Sequence, residues 1–167
     1  GNLGQWIKFE SNNFTVWIAS INEKDKFNKI EKYLKSKLDS IVINKIIKIL
    51  GNQFGIIIYN YSWIFAATDC CRSYPIFWRL NKKKITLSPQ ANLIKEEYDE
   101  INYDQLQAYR MSGYTIDDST LWKKISNLKS GSYLFFTKKN LKLVLKQYFL
   151  YEPWNFKNKK ISLYENL

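Results

Sequence analysis

Between Gly51 and Trp78 the chain reads GNQFGIIIYNYSWIFAATDCCRSYPIFW. Two apolar runs, 55–59 and 63–68, are separated only by Asn60-Tyr61-Ser62. Short runs rich in Ile, Phe and Ala around a turn-forming spacer predict two strands joined as a hairpin. A polar knot, Asp69-Cys70-Cys71-Arg72, then breaks the pattern before Pro75 and a further aromatic run. The knot poses the chemical question of the sequence: two adjacent thiols beside an Asp and an Arg are either a reactive site or a corner of the fold.

The rest of the chain extends the hairpin theme. Residues 5–9 and 14–21 alternate as strands do, with Phe14, Val16 and Ile18 on one face. Asn22 stands where it could cap a helix over about 23–38, whose apolar stripe is Phe27, Ile30, Leu34 and Leu38. Residues 41–50, IVINKIIKIL, suit either helix or strand until Gly51 ends them. A second hairpin joins 76–80 to 84–88. Pro89 opens a short expected helix over 89–97. Asn102 caps another at 103–112, closed by Gly113. Strands at 132–137 and 141–149 make the last pair, the latter setting Leu141, Leu143 and Leu145 against Lys142, Val144 and Lys146. Dominant hairpins with helices between them predict an α+β fold, a layered sandwich of mainly antiparallel sheets flanked by helices.

Composition narrows the chemistry. With 167 residues and 46% apolar content, the chain suits one core, expected over 1–150. Residues 151–167 read as a linker or connecting segment. There is no run long enough to cross a bilayer and no signal-peptide pattern, so a cytoplasmic protein is expected. Gly1 in place of Met reads as a processed or tag-derived start. The net charge of +11 invites a nucleic-acid reading, but only Arg72, Arg79 and Arg110 among 26 basic residues carry the guanidinium best suited to phosphate and base contacts. A solvated Lys-rich surface is preferred. The absence of His excludes Ser-His-Asp and Cys-His catalysis and removes the commonest metal ligand. Adjacent Cys70 and Cys71 can form neither an ordinary disulfide with each other nor a spaced zinc motif, so no metal site is expected.

Four segments in order resemble the glutamine amidotransferase domain at the N-terminus of asparagine synthetases. In 50–78, Leu50, Gly51, Phe54, Asp69, Pro75, Ile76, Phe77 and Trp78 match a Leu-x-Gly-x-Phe strand, a second strand, an Arg-Asp turn and a Pro-Leu-Tyr-Tyr-like strand. LSPQANLI (87–94) is similar to the family's Ala-Ser-Glu stretch. Gly113-Tyr114, Thr120, Leu121, Ile125, Leu128 and Gly131 line up with its Gly-Tyr, Thr-Leu-Phe-x-x-Ile and Leu-x-Pro-Gly pieces, and Gln147-Tyr148-Phe149 stands where it ends a strand with Arg-Tyr-Trp. The resemblance covers about 50–150 and implies an N-terminal-nucleophile (Ntn) hydrolase sandwich, here shortened.

The resemblance also shows what is missing. Active members begin with a Cys whose own α-amine serves as base, and carry an Arg, an Asn-Gly-Glu segment and a downstream Asp for the glutamine. This chain starts Gly1-Asn2-Leu3-Gly4-Gln5-Trp6, and between Trp17 and Leu50 it is short and has neither Arg nor Asn-Gly. The implied role is a non-catalytic (pseudo) amidotransferase domain of an asparagine synthetase-like, ATP-dependent amide-forming protein. It would act as scaffold for a C-terminal synthetase domain in cis or trans, with a homodimer as a further assembly. Relatives such as β-lactam synthetases and lasso-peptide cyclases have lost the same Cys because their substrates bring their own amine. ATP and magnesium are expected only in that synthetase domain, whose Ser-Gly-Gly-x-Asp-Ser loop does not occur here. No catalytic, cofactor-binding or metal residue is therefore assigned. The knot reads as a corner: Asp69 accepting backbone N–H groups and pairing with Arg72. The Trp residues read as packing, 95–100 as a solvated acidic helix end, and Asp117-Asp118 as a turn. A free-standing Lys-rich module for an anionic partner and a residual glutamine amidotransferase are the two alternatives.

Overall fold

The computed structural model describes residues 6–34 and 38–150. The connecting segment expected at 151–167, Gln5 of the first expected strand and 35–37 of the first expected helix lie outside the described residues. In chain order the elements are β1 (Ile7–Ser11), β2 (Phe14–Ser20), α1 (Glu23–Leu34), α2 (Ser40–Leu50), β3 (Phe54–Tyr59), β4 (Trp63–Thr68), β5 (Phe77–Asn81), β6 (Lys84–Ser88), α3 (Tyr103–Ser112), β7 (Ser126–Asn127), β8 (Ser132–Thr137) and β9 (Lys142–Gln147). They form an antiparallel sheet of order β1-β2-β3-β4-β8-β9 and a small one of order β6-β5-β7. The layered α+β architecture expected from the hairpins is the one observed.

Side-chain alternation along the central strands explains the layering, because successive residues of a strand face opposite sides of its sheet. Val16 and Ile18 of β2, Ile56 and Ile58 of β3, and Phe65 and Ala67 of β4 join the first core with Phe27, Ile30 and Leu34 of α1 and Ile43, Ile46 and Leu50 of α2. On the other face Ile57, Ala66, Leu134 and Phe136 meet Ile76, Ile85 and Leu128 from the smaller sheet and its connections. β3 is buried on both faces, which is why its sequence is a continuous run of Ile rather than an alternation.

Residues 41–50, ambiguous in sequence, are helical. Asp39 caps α2, its carboxylate accepting the Val42 N–H at 2.9 Å, and Gly51 takes the C-cap. Ile43, Ile46 and Leu50 fall on one buried stripe, and the contact of that stripe with the sheet outweighs the modest helical disadvantage of Ile. Lys26 fastens the far end: its Nζ donates to the Leu50 carbonyl at 2.6 Å and to Ser20 Oγ at 2.5 Å, setting a cation at the negative end of α2. Asn22 does not act as expected; it sits at a left-handed φ of 59° and only its backbone carbonyl serves α1, accepting Lys26 N–H.

The helix expected over 89–97 does not form. Only a 3-10 turn at Ala91–Leu93 is present. The reason is Arg79, named in the sequence only as one of three Arg residues and here 4% exposed. Its Nη1 donates to the Ile94 carbonyl at 3.0 Å and to Asp99 at 2.6 Å, and its Nη2 donates to Asp99 Oδ1 at 3.1 Å. Asp99 also accepts the Glu96 N–H at 2.8 Å. The acidic run is therefore no solvated helix end: Glu96, Glu97 and Glu100 are exposed while Asp99 is buried, and the backbone wraps a forked ion pair instead of continuing as helix.

Burial alone raises the Asp99 carboxyl; the Glu96 N–H, the bonds and charge of Arg79, and Lys124 outweigh it and hold the group below its ordinary value. A carboxyl lowered by folding stabilises the native state above the unfolded pKa of about 3.9 and loses that contribution as pH falls through the folded value. Urea unfolding should show wild-type stability dropping as pH is taken below about 4, with a shallower drop in Asp99→Asn. Equal slopes would show that the pair carries no linkage. In the core, Ile56→Ala should cost about 2–5 kcal/mol by the same measurement, since the side chain is fully buried between strands and helices.

Candidate functional site

The turn after β4 is organised by Asp69, which is 1% exposed. Its carboxylate accepts four backbone bonds: Phe54 N–H at 2.9 Å, Cys71 N–H at 2.7 Å, and Ser73 N–H at 3.3 Å and 3.1 Å, shared between the two oxygens. Its main-chain N–H donates to the Phe54 carbonyl at 3.1 Å, and its own carbonyl accepts Arg72 N–H at 3.1 Å and Gly131 N–H at 2.8 Å. One residue thus joins the start of β3, the turn, and the entry to β8. Asp69 accepts the turn's N–H groups as the sequence suggests, but Arg72 does not pair with it. Arg72 sits at φ 55° and donates instead to the Asp117 carbonyl at 3.4 Å.

Gly131 completes the corner. At φ 60° it accepts Tyr148 N–H at 2.8 Å and Phe149 N–H at 3.1 Å, and a Cβ there would lie 2.5 Å from the Phe149 carbonyl oxygen. Both the backbone angle and the close approach demand glycine. Tyr148 closes the other side, its hydroxyl donating to the Thr68 carbonyl at 2.6 Å; burial first, then the Asp69 charge and Cys70, push its pKa up.

Cys70 and Cys71 emerge from this corner with their sulfurs 3.9 Å apart, both exposed. They face a hollow of about 490 Å³ whose lining includes Arg72, Asp117, Lys129, Ser130 and Gln147. Partial burial pushes the Cys70 thiol up, and the Cys71 thiol and Asp69 carboxylate add to the effect. This is the reverse of the activation expected of a nucleophile beside a cation. Asp69 cannot serve as base, because both its oxygens are committed to backbone donors. Asp117 lies in a turn at φ 62° and pairs with Lys129 at 2.9 Å, so the Asp117-Asp118 pair is a structural turn here.

A second hollow, about 550 Å³, opens between the two sheets. Trp6, Trp17, Ile57, Ile64, Ile85 and Leu87 form most of its wall, and among the described residues no carboxylate or thiol lines it. Trp6, Trp17 and Trp78 pack on the inter-sheet core and Trp63 on the other. Trp122 lies under Lys95, whose Nζ is 4.5 Å from its ring. Trp154 lies outside the described residues. What the sequence missed is Arg79, whose burial had no local signal because its carbonyl and carboxylate partners lie 15 and 20 residues away.

No protein-family model matches the chain, and no curated protein matches it. Among solved structures it is similar to a glutamine phosphoribosylpyrophosphate amidotransferase from B. subtilis complexed with ADP and GMP. The TM-score is 0.46 at 11% identity, over 88% of this chain and 32% of that one. It is also similar to an allosteric regulatory enzyme of purine biosynthesis, with TM-score 0.48 and 11% identity over 90% of this chain and 32% of that one. The chain spans about a third of the length of both. At this identity the likeness concerns the fold alone.

If the corner is held by the Asp69 carboxylate, Asp69→Asn should destabilise the protein by about 3 kcal/mol, since an amide offers one acceptor and turns a donor toward facing N–H groups. Equilibrium urea unfolding measures this; a cost under about 1 kcal/mol would show that the bonds contribute little net stability.

Proposed function

We propose that this chain is a non-catalytic, glutamine amidotransferase-like domain that serves as a docking scaffold for a synthetase domain of an ATP-dependent, amide-forming protein. The observation that carries the reading is α3. This ten-residue helix buries none of its residues. A helix of that length is not stable on its own. Asn102 caps it, accepting Gln105 N–H at 3.4 Å, and Gly113 ends it at φ 81°, yet it presents Tyr103, Tyr109 and Met111 outward. Met111 is 89% exposed, and Tyr98, Tyr114 and Ile116 are also exposed on the segments around it. Exposed aromatic and Met side chains on a helix that buries none of its residues fully are the composition of an interface.

The corner supports the non-catalytic part. The chain has no His, its two thiols stand beside a carboxylate already committed to backbone bonds, and the other described carboxylate lining their hollow, Asp117, is paired with Lys129. The segment between β2 and β3, where the family resemblance would place the Arg and Asn-Gly-Glu of a glutamine pocket, is occupied by the α1–α2 helix pair. The synthetase partner, ATP and magnesium belong to this reading through the sequence resemblance. Docking of nucleic acid on the Lys-rich surface is the weaker reading: Arg79 is buried, and Lys29, Lys123 and Lys129 are paired with carboxylates.

Two measurements test the proposal. Incubation with glutamine should release no ammonia, and release that survives Cys70→Ser with Cys71→Ser would overturn the non-catalytic reading. Replacing Tyr109 and Met111 together with Lys should abolish co-purification with the synthetase domain, or its activity in a fused chain. Stability should stay within about 0.5 kcal/mol of wild type for each exposed position. Unchanged association would remove α3 as the docking surface.

A further inference from the structure

The hollow between the sheets lies against a strand that ends its sheet. β6 is the outer member of the order β6-β5-β7, and only β5 pairs with it. In an antiparallel ladder alternate residues turn their N–H and C=O groups away from the partner strand. On β6 those outward groups meet no backbone partner among the described residues. The wall of the hollow includes Lys84, Ile85, Thr86, Leu87, Ser88 and Pro89, which follow one another in the chain. Side chains of a strand alternate between its two faces, so a hollow touching all of these reaches β6 along its open edge.

The floor is the larger sheet. Trp17 of β2, Ile57 of β3 and Ile64 of β4 line the same hollow, with Trp6 beside them. The larger sheet has six strands and the smaller three, so the smaller leaves part of that face uncovered beyond β6, where Trp6, Trp17 and Ile64 stay half-buried. A strand laid beside β6 makes good both deficits. It pairs the outward backbone groups, and its inward side chains cover the Trp-lined floor. A cavity of about 150 Å³ holds one benzene, so about 550 Å³ has room for about three side chains of that size.

Charge selects the occupant. Lys and Pro commonly guard a sheet edge, and here Lys82, Lys83 and Lys84 stand at one end of β6 and Pro89 at the other. Between them 85–88 carries Ile, Thr, Leu and Ser, with no charge and no Pro. The three Lys residues are exposed and none makes an ion pair among the described residues. A second copy of this chain would bring a further net charge of +11 and the same Lys turn, so like charge disfavours it. We infer that β6 and the hollow form a strand-addition site for an extended peptide segment of a partner protein, apolar at alternate positions and acidic at the end that meets the Lys turn. The inference does not depend on the reading of α3.

The probe is a fluorescein-labelled peptide of alternating Val and Thr ending in two Asp residues, its binding followed by fluorescence polarisation. Saturable binding of one peptide per chain is expected, with slowed hydrogen exchange of β6 amides. A scrambled peptide of the same composition should bind at least about tenfold more weakly, because it has no continuous apolar face for the hollow. N-methylation of the Val amides or of the Thr amides should cost at least about tenfold in one case only, since a strand offers alternate amides to an edge. Lys83→Glu with Lys84→Glu should weaken the Asp-ended peptide by at least about tenfold and strengthen binding of the same peptide ended in Lys. Both positions are exposed, and circular dichroism checks that the variant folds. Absence of saturable binding, equal binding of the scrambled peptide, or no difference between the methylated peptides would overturn the inference. So would sedimentation of the chain as a dimer that the peptide leaves intact, which would give the edge to a second copy.

Discussion

The Asp69 carboxylate accepts three backbone N–H groups, one of them shared between its two oxygens, while its own main-chain groups reach β3 and Gly131, and this arrangement decides how the remaining elements meet. It ties the beginning of β3 to the end of β4 and to the entry of β8, three neighbours of the larger sheet. A buried anion without such partners would cost several kcal/mol, so the turn has one geometry that satisfies it. Gly131 and Tyr148 then complete the closure, the first by giving backbone room and the second by satisfying the last carbonyl of β4. The exposed side chains of the turn, Cys70 and Cys71, are positioned as a consequence of this packing rather than by contacts of their own.

With that corner set, the larger sheet serves two layers. One face carries α1 and α2 and the other carries the smaller sheet, so β3 and β4 are buried from both sides. The buried Arg79–Asp99 pair does for the smaller sheet what Asp69 does for the larger: it draws the 94–99 segment over β5 and denies it a helical course. Outside both cores lies α3, none of whose residues is fully buried: Leu106 and Ala108 are half-buried, while Tyr103, Tyr109 and Met111 are exposed. The corner, by contrast, is built for holding backbone.

Much of this was legible in the residues. The strands at 55–59, 63–68, 84–88 and 132–137 announced themselves through apolar runs bounded by turn formers, and α3 through Asn102 and Gly113 at its ends. These are local signals, carried by neighbours in the chain. Residues 41–50 could not be assigned because an Ile-rich run satisfies both periodicities, and the choice fell to the sheet face waiting to be covered. The helix predicted at 89–97 failed for a related reason. Its local pattern was sound, but Arg79, in a different element, made a better offer to its carbonyl and to Asp99. Of the corner, the role of Asp69 as backbone acceptor was visible in sequence, and the partner of Arg72 was not, since Asp117 lies 45 residues away.

The sequence by itself determined the α+β class, the succession of hairpins, the lack of a His-based catalyst and the adjacency of the thiols, because each depends on composition or on residues a few positions apart. Only the tertiary structure decided the sheet order β1-β2-β3-β4-β8-β9, the burial of Arg79 with Asp99, the 3.9 Å separation of the two sulfurs and the exposure of Tyr103, Tyr109 and Met111 on α3. Those depend on which distant segments desolvate one another. Burial turns an ordinary Arg or Asp into a group that must find its partners, and it finds them wherever the packing of the sheets has put them.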